Sequence, residues 1–277
     1  MIVSVLFRNE MLKLYKRLAF WVTFGFFSFI MVVGFGESYY RAAGNSDRTF
    51  ALPSAWPDIL TDQSEVALIF GSVVLILMLS SEFSWRTARQ NVIDGLSKEQ
   101  FFLGKSLLLP IVGVLFISMN LIIGGAFAFA GTDFGTLTEP LMRGVHWSVI
   151  FGFFLAFIGY GSLALFCSLS IRSSGPAMAV WFFYMAIGEQ MLRGALNAIH
   201  DRLGELATYL PINTFNQLHR YYQHDAVAFQ EAVEAAIANN RQAPSEPWAM
   251  GLLVTISLVW IALFVGGSFV WFGKRDL

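Results

Sequence analysis

The stretch WSVIFGFFLAFIGYGSLALFCSLSI, residues 147–171, decides the fold class. It carries no charged side chain. A helix rises about 1.5 Å per residue, so roughly 20 residues cross a hydrocarbon core of about 30 Å. This run is long enough to cross with some tilt. Five further apolar runs follow the same logic: 18–36, 66–81, 106–130, 175–192 and 248–272. The 66–81 run is the shortest, and it reaches by snorkelling of Glu65 or Glu82 or by local thinning of the bilayer. The 175–192 run is interrupted by Glu189 and Gln190.

Composition agrees. Apolar residues make up 56% of the 277 positions and charged residues 13%, where a soluble domain carries about 25% charged residues. Phenylalanine alone occurs 28 times. Such a chain cannot cover itself with polar surface, so much of its solvent is lipid. A net charge of −1 gives no basic field for nucleic acid. The single cysteine, Cys167, excludes an internal disulfide framework and any cysteine-rich metal site. The expected fold is all-α: one polytopic membrane domain over 1–277 with six transmembrane helices.

The first apolar run does not read as a cleaved signal. Seventeen residues precede it, they include Glu10, and the run exceeds an ordinary signal core. Orientation follows from Lys and Arg density. Residues 1–17, 82–105, 172–174 and 273–277 hold 11 basic residues in 49 positions, against 7 in 100 on the opposite side. Both termini are therefore expected in the cytoplasm of a cell that carries this chain in its plasma or inner membrane.

Residues 1–17 read as an amphipathic helix in the headgroup layer. Val3, Phe7, Met11, Leu14 and Leu18 share one face, and Glu10, Lys13, Lys16 and Arg17 are expected on the other. In the 82–105 segment, Glu82, Arg86 and Arg89 fall at i, i+4 and i+7 and form one charged stripe. Asp94-Gly95 breaks that helix. Ser97-Lys-Glu-Gln100 is a capping box that starts the next one. The segment is thus a helical elbow on the cytoplasmic face.

On the opposite side, residues 37–65 bring Pro53, Pro57 and the interfacial aromatics Tyr39, Tyr40 and Trp56. Residues 193–247 form a long external excursion. Within it, Asp225 is expected to cap a helix over 226–239, and Tyr209-Leu-Pro211 marks a break. A small external helical cap is the expected result.

Motifs for chemistry do not emerge. Gly104-Lys105-Ser106 looks like the end of a phosphate loop, but Glu99 stands where that loop needs glycine. Lys105 reads instead as an interfacial anchor of the third span. His219 and His224 are five apart and lack the spacing of zinc helices. The reading is of no enzyme, no cofactor and no metal in this chain. Glu189 is the one ionisable residue well inside an apolar run, and such a residue is a functional-site hypothesis. With Gln190 and the mid-span Asn120 it forms the candidate transport path, and the alternative for Asn120 is a hydrogen-bonded link between helices. A snorkelling Glu189–Arg193 pair is the alternative. Gly152 and Ala156, four apart, offer a surface for close helix packing.

The segment from Glu82 through Arg86, Arg89, Asp94, Gly95, Ser97 and Gln100 to Lys105 resembles the one after the second span in type-2 ABC exporter permeases. The ending Phe272-Gly-Lys-Arg-Asp276-Leu is similar to that family's short basic tail, and the layout of spans agrees. The resemblance implies that the elbow is a coupling helix touching an ATPase, with Glu82, Arg86, Arg89, Asp94, Gly95, Ser97 and Gln100 as coupling residues. It also implies two cytoplasmic ABC ATPase subunits, which would carry ATP and Mg, a second permease chain, identical or related, and a prokaryotic cell membrane. The chain would be the permease subunit of an exporter. Lipid, peptide, drug and ion all remain open as substrates. The rival readings are a secondary transporter, which needs broken helices and midplane charges, and a membrane-embedded enzyme.

Overall fold

A computed structural model describes residues 2–44, 50–84, 96–135, 137, 140–238, 240, 243–244 and 246–274. Arg86, Arg89, Asp94 and Gly95 lie outside the described residues. Among the described residues every regular element is helical, and five helices are long and apolar enough to cross a membrane.

Helix α1, Ile2–Lys16, precedes a sharp bend at Arg17, whose φ −88° and ψ 121° are extended. Helix α2 follows over Leu18–Ala43. A π turn, Asp58–Asp62, leads into α3, Ser64–Ser84. Helix α4, Lys98–Ala130, opens with the capping box read from the sequence. Ser97 Oγ accepts from the Gln100 amide at 3.1 Å, and Gln100 Oε1 accepts from the Ser97 amide at 3.1 Å. Helix α5, Gly144–Ile171, ends at Arg172 in the left-handed region, φ 59°. Helix α11, Met250–Lys274, closes the chain.

The stretch expected as the fifth span differs from the other five. It consists of α6, Ser174–Phe183, a π turn over Tyr184–Gly188, and α7, Glu189–Ile199. Glu189, Gln190 and Arg193 make it too polar to join the five long apolar helices.

Helix α5 is the centre of the bundle. Within its most apolar window 72% of residues are buried, against 22% for α2 and 17% for α11. An apolar surface all round requires that position. Small residues then set how closely neighbours approach. A Cβ at Gly71 would lie 2.3 Å from the Phe157 ring, so α3 and α5 meet where that ring needs a notch.

The 193–247 segment is only partly outside the bundle. Helix α8, Asp201–Leu206, and a 3-10 turn over Ala207–Tyr209 lead to α9, Pro211–Leu218. Helix α9 lies along α5. Leu218 O stands over Gly152, where a Cβ would be 2.0 Å away, and the Phe215 ring stands over Gly159. Gly152 is thus the close-packing surface expected of it, with Ala156 fully buried beside it. Gly159 is 15 residues into α5, so α9 reaches about half the depth of the bundle. Helix α10, Ala226–Ala238, has no buried residue and is the part outside the bundle, and Asp225 Oδ1 accepts from the Val227 amide at 2.9 Å as its cap.

One end of the bundle gathers α1, the end of α3, the start of α4 and the end of α11. Phe101 and Phe272 stack there at 5.5 Å, with Phe83 edge-on to both.

Candidate functional site

Two polar constellations stand out against this apolar background. The first lies where α1, the end of α3 and the start of α4 meet. Lys105, eight residues into α4, is 1% exposed. Its Nζ lies 2.8 and 2.7 Å from Glu10 Oε1 and Oε2, and 2.6 Å from Glu82 Oε1. Lys13 Nζ reaches the same two carboxylates at 3.2 Å each. Arg17 approaches Glu82 at 3.9 Å, donates to Met78 O at 3.2 Å and also bonds Ser81 Oγ. Two buried carboxylates thus meet three cations drawn from α1, the Arg17 bend and α4. A buried charge persists only when paired and hydrogen-bonded. Burial opposes the charge on Lys13, but the carboxylates of Glu82 and Glu10 outweigh it and hold its pKa above the ordinary lysine value.

Three sequence expectations are corrected here. Lys105 is not an interfacial anchor; it is the buried centre of the network. Glu82 is 2% exposed and does not snorkel. Helix α1 turns Leu6, Glu10, Lys13 and Leu14 toward the bundle, while Phe7 and Leu18 are 46% and 76% exposed. The expected stripe therefore splits, with Leu14 inside and Phe7 and Leu18 outside, and Glu10 and Lys13 face in because their partners sit on α3 and α4. Ser97 and Gln100 cap α4 as expected, and their hydrogen bonds are with each other.

The second constellation lies where α7 meets α9. Glu189 is 7% exposed. Its Oε2 accepts from the Ile212 amide and its Oε1 from the Asn213 amide, both at 2.7 Å. These are orphan donors in the first turn of α9, where the helix dipole also favours an anion. The π turn places Glu189 for this, since it shifts the register of the helix just before that residue. Among the described residues no ion pair joins Glu189 to Arg193. Glu189, Gln190, Arg193, Asn197, Asn213 and Asn216 line a cavity of about 380 Å³. Asn216 Oδ1 accepts from the Tyr160 hydroxyl at 2.6 Å, which ties the cavity wall to α5.

Asn120 does not join this cavity. It is fully buried on α4, and its Nδ2 donates to Ile59 O at 2.9 Å, which pins the π turn before α3. The candidate path residues thus divide, with Glu189 and Gln190 together and Asn120 apart.

Sequence reading missed the histidines' structural part. His224 Nε2 lies 2.8 Å from Leu218 O and Nδ1 lies 2.7 Å from Ser148 Oγ. A carbonyl only accepts, so Nε2 carries the proton and Nδ1 accepts from the serine hydroxyl. His219 is 1% exposed and packs against the Phe153 ring of α5. Among the described residues no three His, Cys, Asp or Glu side chains gather as a metal site would require. No family model and no curated protein matches this chain.

Proposed function

We propose that the chain is the membrane-spanning permease subunit of an ABC transporter, most simply an exporter, driven by a separate ATPase. The observation that carries this reading is the Glu10–Lys105–Glu82 network. It ties α1, α3 and α4 at the two roots of the 85–95 segment, so force applied to that segment is delivered to three helices together. A coupling elbow needs such a rigid base, because interfaces that switch between discrete arrangements transmit small shifts only through well-packed elements. In this reading Arg86 and Arg89 meet the ATPase, and Glu82 fixes the elbow from inside.

The path of the chain supports a sixth crossing by the broken helix. Ser174 lies beside Lys16 at the α1 end, whereas Trp248, just before α11, hydrogen-bonds to Gln223 among the residues of the opposite end. Residues 174–249 therefore carry the chain from one end to the other. Both termini then face the cytoplasm, two permease chains pair in the bilayer, and ATP and Mg are bound by the partner subunits.

One observation favours a secondary transporter: α9 is a half-helix whose N-terminus meets a carboxylate at mid-depth. Both Glu189 oxygens accept from backbone amides of α9, however, which supports a capping role for this carboxylate. Purification of the tagged chain from its own cell membrane tests the proposal. It expects an ATP-hydrolysing chain to co-purify, and the Arg86→Glu, Arg89→Glu double variant to lose it. A complex that transports without a nucleotide-hydrolysing companion would contradict it.

A further inference from the structure

A groove of about 470 Å³ opens between α2, α3 and the start of α6. Lys16 and Arg17 stand at one end of it, and Phe20, Val74, Leu77 and Met78 form apolar walls below them. Two features place the basic end at headgroup level. Tyr15 and Trp21 are 66% and 45% exposed, stand edge to face at 5.4 Å, and flank Lys16 and Arg17 in the chain. Such amphipathic rings settle at the membrane–water interface. Helix α1 also leaves the bundle axis there, through the bend at Arg17. The apolar walls begin at that level and run down α3 from Met78 to Val74, one helical turn deeper.

Charge complementarity selects the occupant. In residues 8–17, taken with Glu82 and Lys105, the cations Arg8, Lys13, Lys16, Arg17 and Lys105 face only the two carboxylates Glu10 and Glu82. The ion network neutralises part of this excess, and Lys16 stays exposed at the groove. We infer that this groove is a binding site for an anionic phospholipid, with the phosphate at Lys16 and Arg17 and one acyl chain along Phe20, Val74 and Met78. Basic pockets between transmembrane helices take acidic headgroups for this reason. The inference does not rest on the permease reading.

Native mass spectrometry of the full chain in mild detergent tests it, with dioleoyl phosphatidylglycerol and dioleoyl phosphatidylcholine in competition. The phosphatidylglycerol adduct is expected to dominate. Lys16→Glu should lower its retention by at least about fivefold, the effect of one basic residue at a charged surface, and leave phosphatidylcholine unchanged. Ala19→Trp, which fills the groove, should lower phosphatidylglycerol retention without a change of charge. Unaltered circular dichroism and elution volume are required of each variant, and Lys16→Ala and Ala19→Leu replace any that fail. Equal retention of the two lipids, or native retention in both variants, would overturn the assignment. So would displacement of the lipid by inorganic phosphate alone. Loss of a dimer in Ala19→Trp with lipid retention intact would assign the groove to a second copy of the chain.

Discussion

Lys105 on α4 and Glu82 on α3 stand 2.6 Å apart in the interior of the bundle, each 2% or less exposed. Glu10 closes on the same ammonium from α1. Removing one partner from such a set leaves buried charge without compensation. Lys105→Ala is expected to cost about 3–5 kcal/mol, the range for breaking a buried ion pair. The triple variant Lys105→Met, Glu10→Gln, Glu82→Gln should recover much of that loss. Thermal unfolding of the detergent-solubilised protein checks both.

Glu189 acts as the cap of α9. Glu189→Gln keeps an oxygen acceptor and is expected to loosen α9 less than Glu189→Ala, which leaves two amide donors unserved at about 1–3 kcal/mol for a buried group. Hydrogen exchange at the Ile212 and Asn213 amides reads this directly. Equal protection in the two variants would mean that the carboxylate does not hold the half-helix.

Gly152 admits the backbone of α9. A side chain there meets Leu218 O at 2.0 Å, and a carbonyl cannot swing aside as a side chain does. Gly152→Leu is expected to cost more than the usual 1–3 kcal/mol of overpacking, and to expose α9 to proteolysis. Gly266, with open space around it, should accept alanine with little effect on the melting temperature.

The sequence made local features legible. The Ser97–Gln100 box and the Asp225 cap depend on residues two or three apart, so spacing alone reveals them. The long apolar helices were equally plain, because lipid demands a continuous run. The Lys105 network is hidden in the sequence, since its members are 95 and 23 residues apart and each has a local reading of its own: Glu10 on a polar helix face, Glu82 in a charged stripe, Lys105 as a helix-end anchor. Gly152 is legible as a close-packing position, but nothing in the polar sequence of α9 marks it as the element that Gly152 and Gly159 receive. Glu189 stood out as a charge in an apolar run, yet its partners are backbone amides, which carry no mark in the sequence.

The sidedness of residues 85–95 decides whether an ATPase can reach them. Asn91→Cys in a Cys167→Ser background places a single thiol in the 85–95 segment. A membrane-impermeant maleimide is expected to leave it unlabelled in intact cells and to label it after permeabilisation, and a short thiol-to-amine cross-linker is expected to join it to an ATP-hydrolysing chain. Labelling in intact cells would place residues 85–95 outside the cell, out of reach of any cytoplasmic ATPase, and would rule out the permease function.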